Sequence, residues 1–261
     1  MKLDLTDDPR ALRIALVYGL ACHGIFALAG LAMLVGLFFG MSETLGSVPW
    51  PWALLTNTLL LVQFPLGHSF FLSEKGRPRL EKLAPRPHGK TPATTVYATI
   101  ASIQLLLLFT LWTPSGIVLW QADGAALVAI SCAYLMSWAL LTKASFDAGP
   151  KLQSGALGWM ALACGKPVEF PDMPERGLFR YVRQPIYISF ALVLWTVPVW
   201  TPDQLVLAVT YTAYCVMAPR LKERRFRKIY KDRFRRYQDR VPYWIPRLRR
   251  KHASRLRARD L

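Results

Sequence analysis

Four stretches of this sequence, at about 14–41, 50–73, 94–113 and 125–142, are apolar and contain no Asp, Glu, Lys or Arg. Each reaches the roughly 20 residues that a helix needs to cross a bilayer. Hydrocarbon offers no partner to a backbone N–H or C=O, so such segments must satisfy these groups internally. The fold class expected is therefore all-α, a polytopic transmembrane helical bundle. Two shorter apolar segments, 186–198 and 204–219, flank Val199-Trp200-Thr201-Pro202-Asp203 and predict a tight helical hairpin. The first run is too long for a signal-peptide core and no small-residue cleavage site follows it, so it reads as a span. The expectation is four full spans plus a short hairpin in a single domain, 1–246. A basic, solvated and disordered tail follows at 247–261.

The distribution of charge refines this picture. From Arg220 to Leu261 there are 18 Lys and Arg against 4 Asp and Glu, which accounts for +14 of the chain's net +17. Cations packed just beyond the last apolar segment suit an anionic membrane face rather than nucleic acid. Lys and Arg also fill the loops after the second and fourth runs, whereas the loops around Glu43 and Asp123 hold none. The excess of Lys and Arg marks the cytoplasmic side, so both termini are expected there. Cys22, Cys132, Cys164 and Cys215 show no close spacing, so they imply neither a disulfide framework nor a zinc site.

Against that frame a few polar residues stand out. Arg183-Gln184-Pro185-Ile186-Tyr187-Ile188-Ser189 joins a basic loop to the hairpin. Proline is well placed at the first position of a helix, so Pro185 reads as a helix start with Arg183 at its water-facing mouth. Arg and Tyr at that depth also suit a plain interfacial anchor. Pro65 should kink the second helix and leave a carbonyl free near His68. An ionisable group in an apolar span is a candidate for function, although His68 sits where water reaches it. His23 has fewer polar neighbours in the sequence.

In the tail, Phe226, Tyr230, Phe234 and Tyr237 follow at intervals of 4, 4 and 3, which places them on one face of a basic amphipathic helix. That helix either rests on lipid or roofs a cytoplasmic cavity. Glu223 reads either as part of such a site or as a surface carboxylate paired with Arg227. In the long loop 143–180, Leu157–Ala163 suggests a short interfacial helix, and loops of this length often act as lids or binding segments.

Taken together, these elements form a recognisable set: Arg183-x-Pro185-x-Tyr187, a hairpin, Glu223, Phe234-x-x-Tyr237 and Val241-Pro242…Pro246. With His68-Ser69, Phe146-Asp147 and Gly177-Leu178-Phe179-Arg180-Tyr181, the chain resembles the membrane methyltransferases related to isoprenylcysteine carboxyl methyltransferase. Within that group it looks most like the bacterial methanethiol S-methyltransferases. The resemblance implies that S-adenosyl-L-methionine enters from the cytosol and is held by the C-terminal signature and the tail helix. A small or lipophilic acceptor, a thiol first of all, approaches from the membrane. It implies His68, Arg183 and Glu223 as catalytic candidates. Arg183, Gln184, Pro185, Tyr187, Glu223, Tyr230, Phe234 and Tyr237 are implied for the cofactor.

The departures are Gln184 where the family usually has His, Ser189 for Gly, Lys222 for the first of two Glu, and Ser145 for His. A glutamine keeps hydrogen bonding but takes up no proton near neutral pH, so proton removal and acceptor choice are what these changes touch. A haem-binding membrane protein or isomerase using His68 and His23, and a non-catalytic relative binding cofactor or lipid, are the alternatives.

Overall fold

The computed structural model describes residues 5–84 and 87–246, so the expected tail at 247–261 lies outside the described residues. The chain is mostly helical, in the order α1 (Pro9–Phe38), α2 (Trp52–Phe71), α3 (Arg77–Leu83), α4 (Ala93–Leu111), α5 (Gly124–Asp147), α6 (Pro150–Gln153), α7 (Ala156–Ala163), α8 (Pro185–Trp195) and α9 (Pro202–Arg240). Among the described residues α1, α4 and α5 are long and apolar enough to cross a membrane, one fewer than the four full spans expected. The run at 50–73 does form a helix, but Thr56, Asn57, Thr58, Gln63 and His68 make α2 more polar than the other three.

Those polar groups are used in pairing α2 with α4. Gln63 Nε2 donates to the Gln104 carbonyl and Gln104 Nε2 to the Gln63 carbonyl, both at 2.7 Å. Asn57 exchanges two bonds with the backbone of Thr113, at 2.8 and 2.9 Å. Away from water such reciprocal amide contacts hold helices together where apolar packing alone gives little preference for one partner.

Pro65 withdraws the N–H that would have reached Leu61 four residues back. The orphaned carbonyl is thus at Leu61, about two turns from His68 rather than beside it. Tyr211 Oη, from the fully buried side chain on α9, donates to it at 3.2 Å. Around this tie lies the main core, built from Leu37, Leu61, Leu108, Tyr134, Leu194, Leu207 and Tyr211 among others.

Pro185 opens α8, as its position suggested. The expected hairpin differs from the structure in two ways. Its turn is stiffened by a two-stranded antiparallel ribbon, in which Val199–Trp200 (β2) pairs with Trp120–Gln121 (β1) from the loop before α5. Its second limb does not stop near residue 219 but continues through Pro219 into the tail as α9. At the start of α9, Thr201 Oγ1 accepts from Gln204 N at 3.0 Å, and Asp203 accepts from Trp112 Nε1 and from Ser115.

The loop 143–180 is a packed connector. Residues 157–163 are helical, as expected, but α7 lies in a groove between α1 and α4. Its Trp159 N–H and the Gly155 carbonyl both bond to Thr95 Oγ1. A Cβ on Gly19 would meet the Trp159 ring at 2.8 Å, so α1 carries glycine where α7 crosses it.

Candidate functional site

The site begins with a reversal of the chain at Lys231, whose φ of +44° is rare for a residue with a side chain. On a straight helix Phe226 and Phe234 would be about 12 Å apart along the axis. Their rings instead meet edge-on at 5.7 Å. The part of α9 beyond Lys231 therefore folds back on the part before it. Phe226, Tyr230, Phe234 and Tyr237 form an enclosed cluster with Met173 and Val241, not a flat face under a single straight helix.

The reversal brings Gln238 to Glu223, 15 residues away in sequence. Glu223 is 6% exposed and accepts three hydrogen bonds, from Arg183 Nε at 3.0 Å, Gln184 Nε2 at 2.9 Å and Gln238 Nε2 at 2.8 Å. A buried carboxylate needs such donors, because without them its desolvation is very costly. The surface pairing with Arg227 that its spacing allowed is not formed. Arg183 also donates through Nη1 to the carbonyls of Gln238 and Val241, at 3.1 and 2.7 Å, and its backbone N–H bonds the Pro242 carbonyl at 2.9 Å. Tyr243 covers the guanidinium, 5.2 Å from its ring centre.

The remaining sequence motifs close the same knot. Gly177, with φ +59°, lies so close to Asp147 that a Cβ there would be 2.2 Å from the carboxylate, and Leu178 N donates to Asp147 Oδ2 at 2.8 Å. The 3₁₀ turn Gly177–Arg180 is thereby pinned to the end of α5, and Tyr237 Oη reaches its Phe179 carbonyl at 2.7 Å. Outside, Asp172 and Glu175 pair with Arg233, and Glu175 also pairs with Arg240. Phe146-Asp147, Gly177-Leu178-Phe179, Arg183, Glu223 and Val241-Pro242 are thus scattered in sequence and contiguous in space.

Between them lies a hollow of about 220 Å³ including its mouth, lined by Pro174, Phe179, Arg183, Gln184, Lys222, Glu223, Phe226, Phe234 and Tyr237. Of the expected cofactor residues, Arg183, Gln184, Glu223, Phe234 and Tyr237 meet there. Pro185 starts α8 just behind it. Tyr230 packs on Phe226 outside the lining. Tyr187 reaches the hollow only through Lys222, 6.0 Å from its ring.

His68 is not part of this hollow. Its Nε2 lies 2.7 Å from Tyr97 Oη on α4, its ring packs on Phe64, and its Nδ1 is buried with no hydrogen-bond partner. Arg225, between the lining residues Glu223 and Phe226 in sequence, links the two regions, for its Nη1 donates to the Leu72 carbonyl at the end of α2. Tyr187 lies within electrostatic reach of Arg225 as well. His23 belongs to neither region and accepts from Trp159 Nε1 at 3.1 Å.

The residue that the sequence reading set aside is Lys222, which appeared only as a departure from the expected Glu. Its side chain is half-buried with the ammonium at the hollow, 3.4 Å from Gln184 Oε1, and desolvation lowers its pKa to about 8 against the pull of Glu223. Gln238 was also missed, since nothing in a helical pattern brings residues 223 and 238 together.

No family model matches the chain, and no solved structure matches it. It is 29% identical over 222 residues to the methanethiol S-methyltransferase of Pseudomonas deceptionensis, covering 82% of each chain. It is 27% identical over 241 residues to methanethiol S-methyltransferase 1 of Bradyrhizobium diazoefficiens, covering 89% of this chain and 82% of that one. A shorter likeness, 29% over 133 residues and 48% of this chain, links it to nurim of Xenopus laevis. Most of the chain is therefore similar to curated methanethiol S-methyltransferases, with nurim proteins as more partial relatives, the group that its motifs resemble.

Proposed function

We propose that this chain is an integral membrane methyltransferase that uses S-adenosyl-L-methionine to methylate a small or lipophilic thiol. In this reading α2, α8 and the first half of α9 join the three apolar helices in the bilayer, and the hollow opens on the basic, cytoplasmic side. The observation that carries it is the convergence of a guanidinium, a carboxylate and an amide with aromatic walls around one hollow.

These groups fit the cofactor. A guanidinium suits an amino-acid carboxylate, a carboxylate suits ribose hydroxyls or an amino group, and Phe234 and Tyr237 suit a purine face. The enclosed space is only about 10 Å³, against the roughly 300–1,000 Å³ of ordinary ligand pockets, so the arm beyond Lys231 must swing outward to admit it. When bound, the cofactor supplies a methyl group on a positively charged sulfur.

The protein's own contribution is to position the reactants and to manage one proton. Holding them in line at about 3–3.5 Å supplies much of the acceleration. Arg225, close to His68 and Tyr187, favours the thiolate form of an acceptor. An acceptor that reached His68 would find its unpartnered Nδ1 as a hydrogen-bond acceptor for the thiol, while Tyr97 holds the other nitrogen.

The test is calorimetric binding of S-adenosylmethionine to detergent-purified protein, with Arg183→Ala and Glu223→Gln beside wild type, followed by mass spectrometry of methanethiol-like acceptors for a methyl addition. At least tenfold weaker binding in both variants is expected. Unchanged affinity in both refutes the site.

A further inference from the structure

Lys222 is held in an unusual way for a lysine. Its Nζ lies 5.3 Å from the ring centre of Phe179, 5.5 Å from Phe226 and 6.0 Å from Tyr187. The three rings come from the 3₁₀ turn, α9 and α8, so three separate segments converge on one cation. An aromatic face attracts a cation within about 6 Å, more strongly when water is excluded. Glu223, its neighbour in sequence, directs its oxygens to Arg183, Gln184 and Gln238 instead. Among the described residues Lys222 forms no ion pair, and its one hydrogen-bond acceptor is the neutral amide oxygen of Gln184, at a long 3.4 Å.

This enclosure serves an ammonium poorly. A lysine head group has three N–H donors to satisfy, and the enclosure offers one distant oxygen. Three rings and a neutral dipole suit a cation that has no N–H at all, large and weakly hydrated, such as a sulfonium or a quaternary ammonium. We infer that Phe179, Tyr187 and Phe226 form an onium-binding cage, that the Lys222 ammonium fills it in the free protein, and that the sulfonium of the methyl donor takes its place. The inference rests on the cofactor reading above and deepens it. It gives the site a means of telling donor from product. After transfer the sulfur is a neutral thioether with no claim on the cage, and the lysine returns to it and favours release.

The experiment compares S-adenosylmethionine with S-adenosylhomocysteine, which share the nucleoside and the amino-acid end and differ in the charge on sulfur. Binding is measured on the detergent-solubilised full chain as wild type, Lys222→Met, Lys222→Arg and Phe226→Leu. Trimethylsulfonium serves as a probe that carries the cation without the nucleoside. Lys222→Met is expected to tighten S-adenosylmethionine roughly tenfold, about 1.4 kcal/mol, with S-adenosylhomocysteine changed less than threefold. Lys222→Arg should stay near wild type, and Phe226→Leu should weaken the sulfonium form selectively. Trimethylsulfonium should bind Lys222→Met better than wild type.

If both nucleosides bind, but neither Lys222→Met nor Phe226→Leu changes their ratio, the cage is wrong and the cofactor reading stands. If trimethylsulfonium responds to Lys222→Met while neither nucleoside binds any variant, the cage stands and the cofactor reading is wrong. If neither nucleoside nor trimethylsulfonium binds any of the proteins, both are overturned.

Discussion

Glu223 and Arg183 are the pair on which the tail's return depends, and a double-mutant cycle measures that dependence. Their side chains are 8% and 13% exposed and meet at 3.0 Å. Removing one partner of a buried pair costs about 3–5 kcal/mol, mostly because the other charge is left uncompensated. Arg183 keeps two backbone carbonyls in that event, so Glu223→Ala is expected at the lower end, about 3 kcal/mol. At about 2–4 °C per kcal/mol for a chain of this size, Tm should fall by roughly 6–12 °C. The double variant Arg183→Met/Glu223→Ala, set beside both single variants, removes both charges and leaves only amides short of partners. It should be more stable than Glu223→Ala alone, with a coupling of about 2 kcal/mol. Unfolding can be followed with a thiol-reactive dye, because Cys22 and Cys215 are buried in the folded chain. A shift below about 2 °C for Glu223→Ala, or strict additivity in the double variant, refutes the reasoning.

Three further outcomes follow from the geometry. Tyr211→Phe removes the donor that serves the Leu61 carbonyl and should cost about 1 kcal/mol; adding Pro65→Ala, which restores a helical N–H to that carbonyl, should shrink the loss, and an equal loss in both backgrounds would be contrary. Gly177→Ala puts a methyl group against Asp147 at positive φ and should cost about 2–4 kcal/mol, seen as a lower Tm and faster proteolysis near residue 177. Lys222 has its pKa lowered from 10.5 to about 8 by burial, so between those values the unfolded chain binds more protons than the folded one. Stability of the wild type relative to Lys222→Met should therefore rise from about pH 8 to 10.5 and be level below that window. A relative stability that fell as the pH rose would contradict this.

Much of the scaffold is legible in the sequence because the bilayer imposes a simple rule on it. The four long apolar runs became helices with ends within about five residues of those expected, and Pro185 marks the start of α8 because proline costs nothing at that position. The structure departs from the pattern where contacts are long-range. The polarity of α2 weakens its signal as a span, yet Gln63 and Asn57 serve pairing with α4, which hydropathy cannot express. The ribbon between Trp120 and Trp200 joins two-residue strands too short to show alternation. The reversal at Lys231 has no glycine to announce it, so Phe226 to Tyr237 looked like one face of a straight helix. Arg183 and Glu223 could be singled out by type and position. The burial of Lys222 among rings could not, since those rings come from three segments and meet only after the reversal.

That reversal also sets an order of events during synthesis. Every donor and acceptor in the knot contributed by residues 223–242 leaves the ribosome after the helices that it must clasp. A nascent chain halted before Lys231 would present Arg183 and the Phe179 turn with nothing to clasp them. Closure of the hollow then comes after the helices around it have been made, and a defect in it would leave those helices in the membrane with the hollow open.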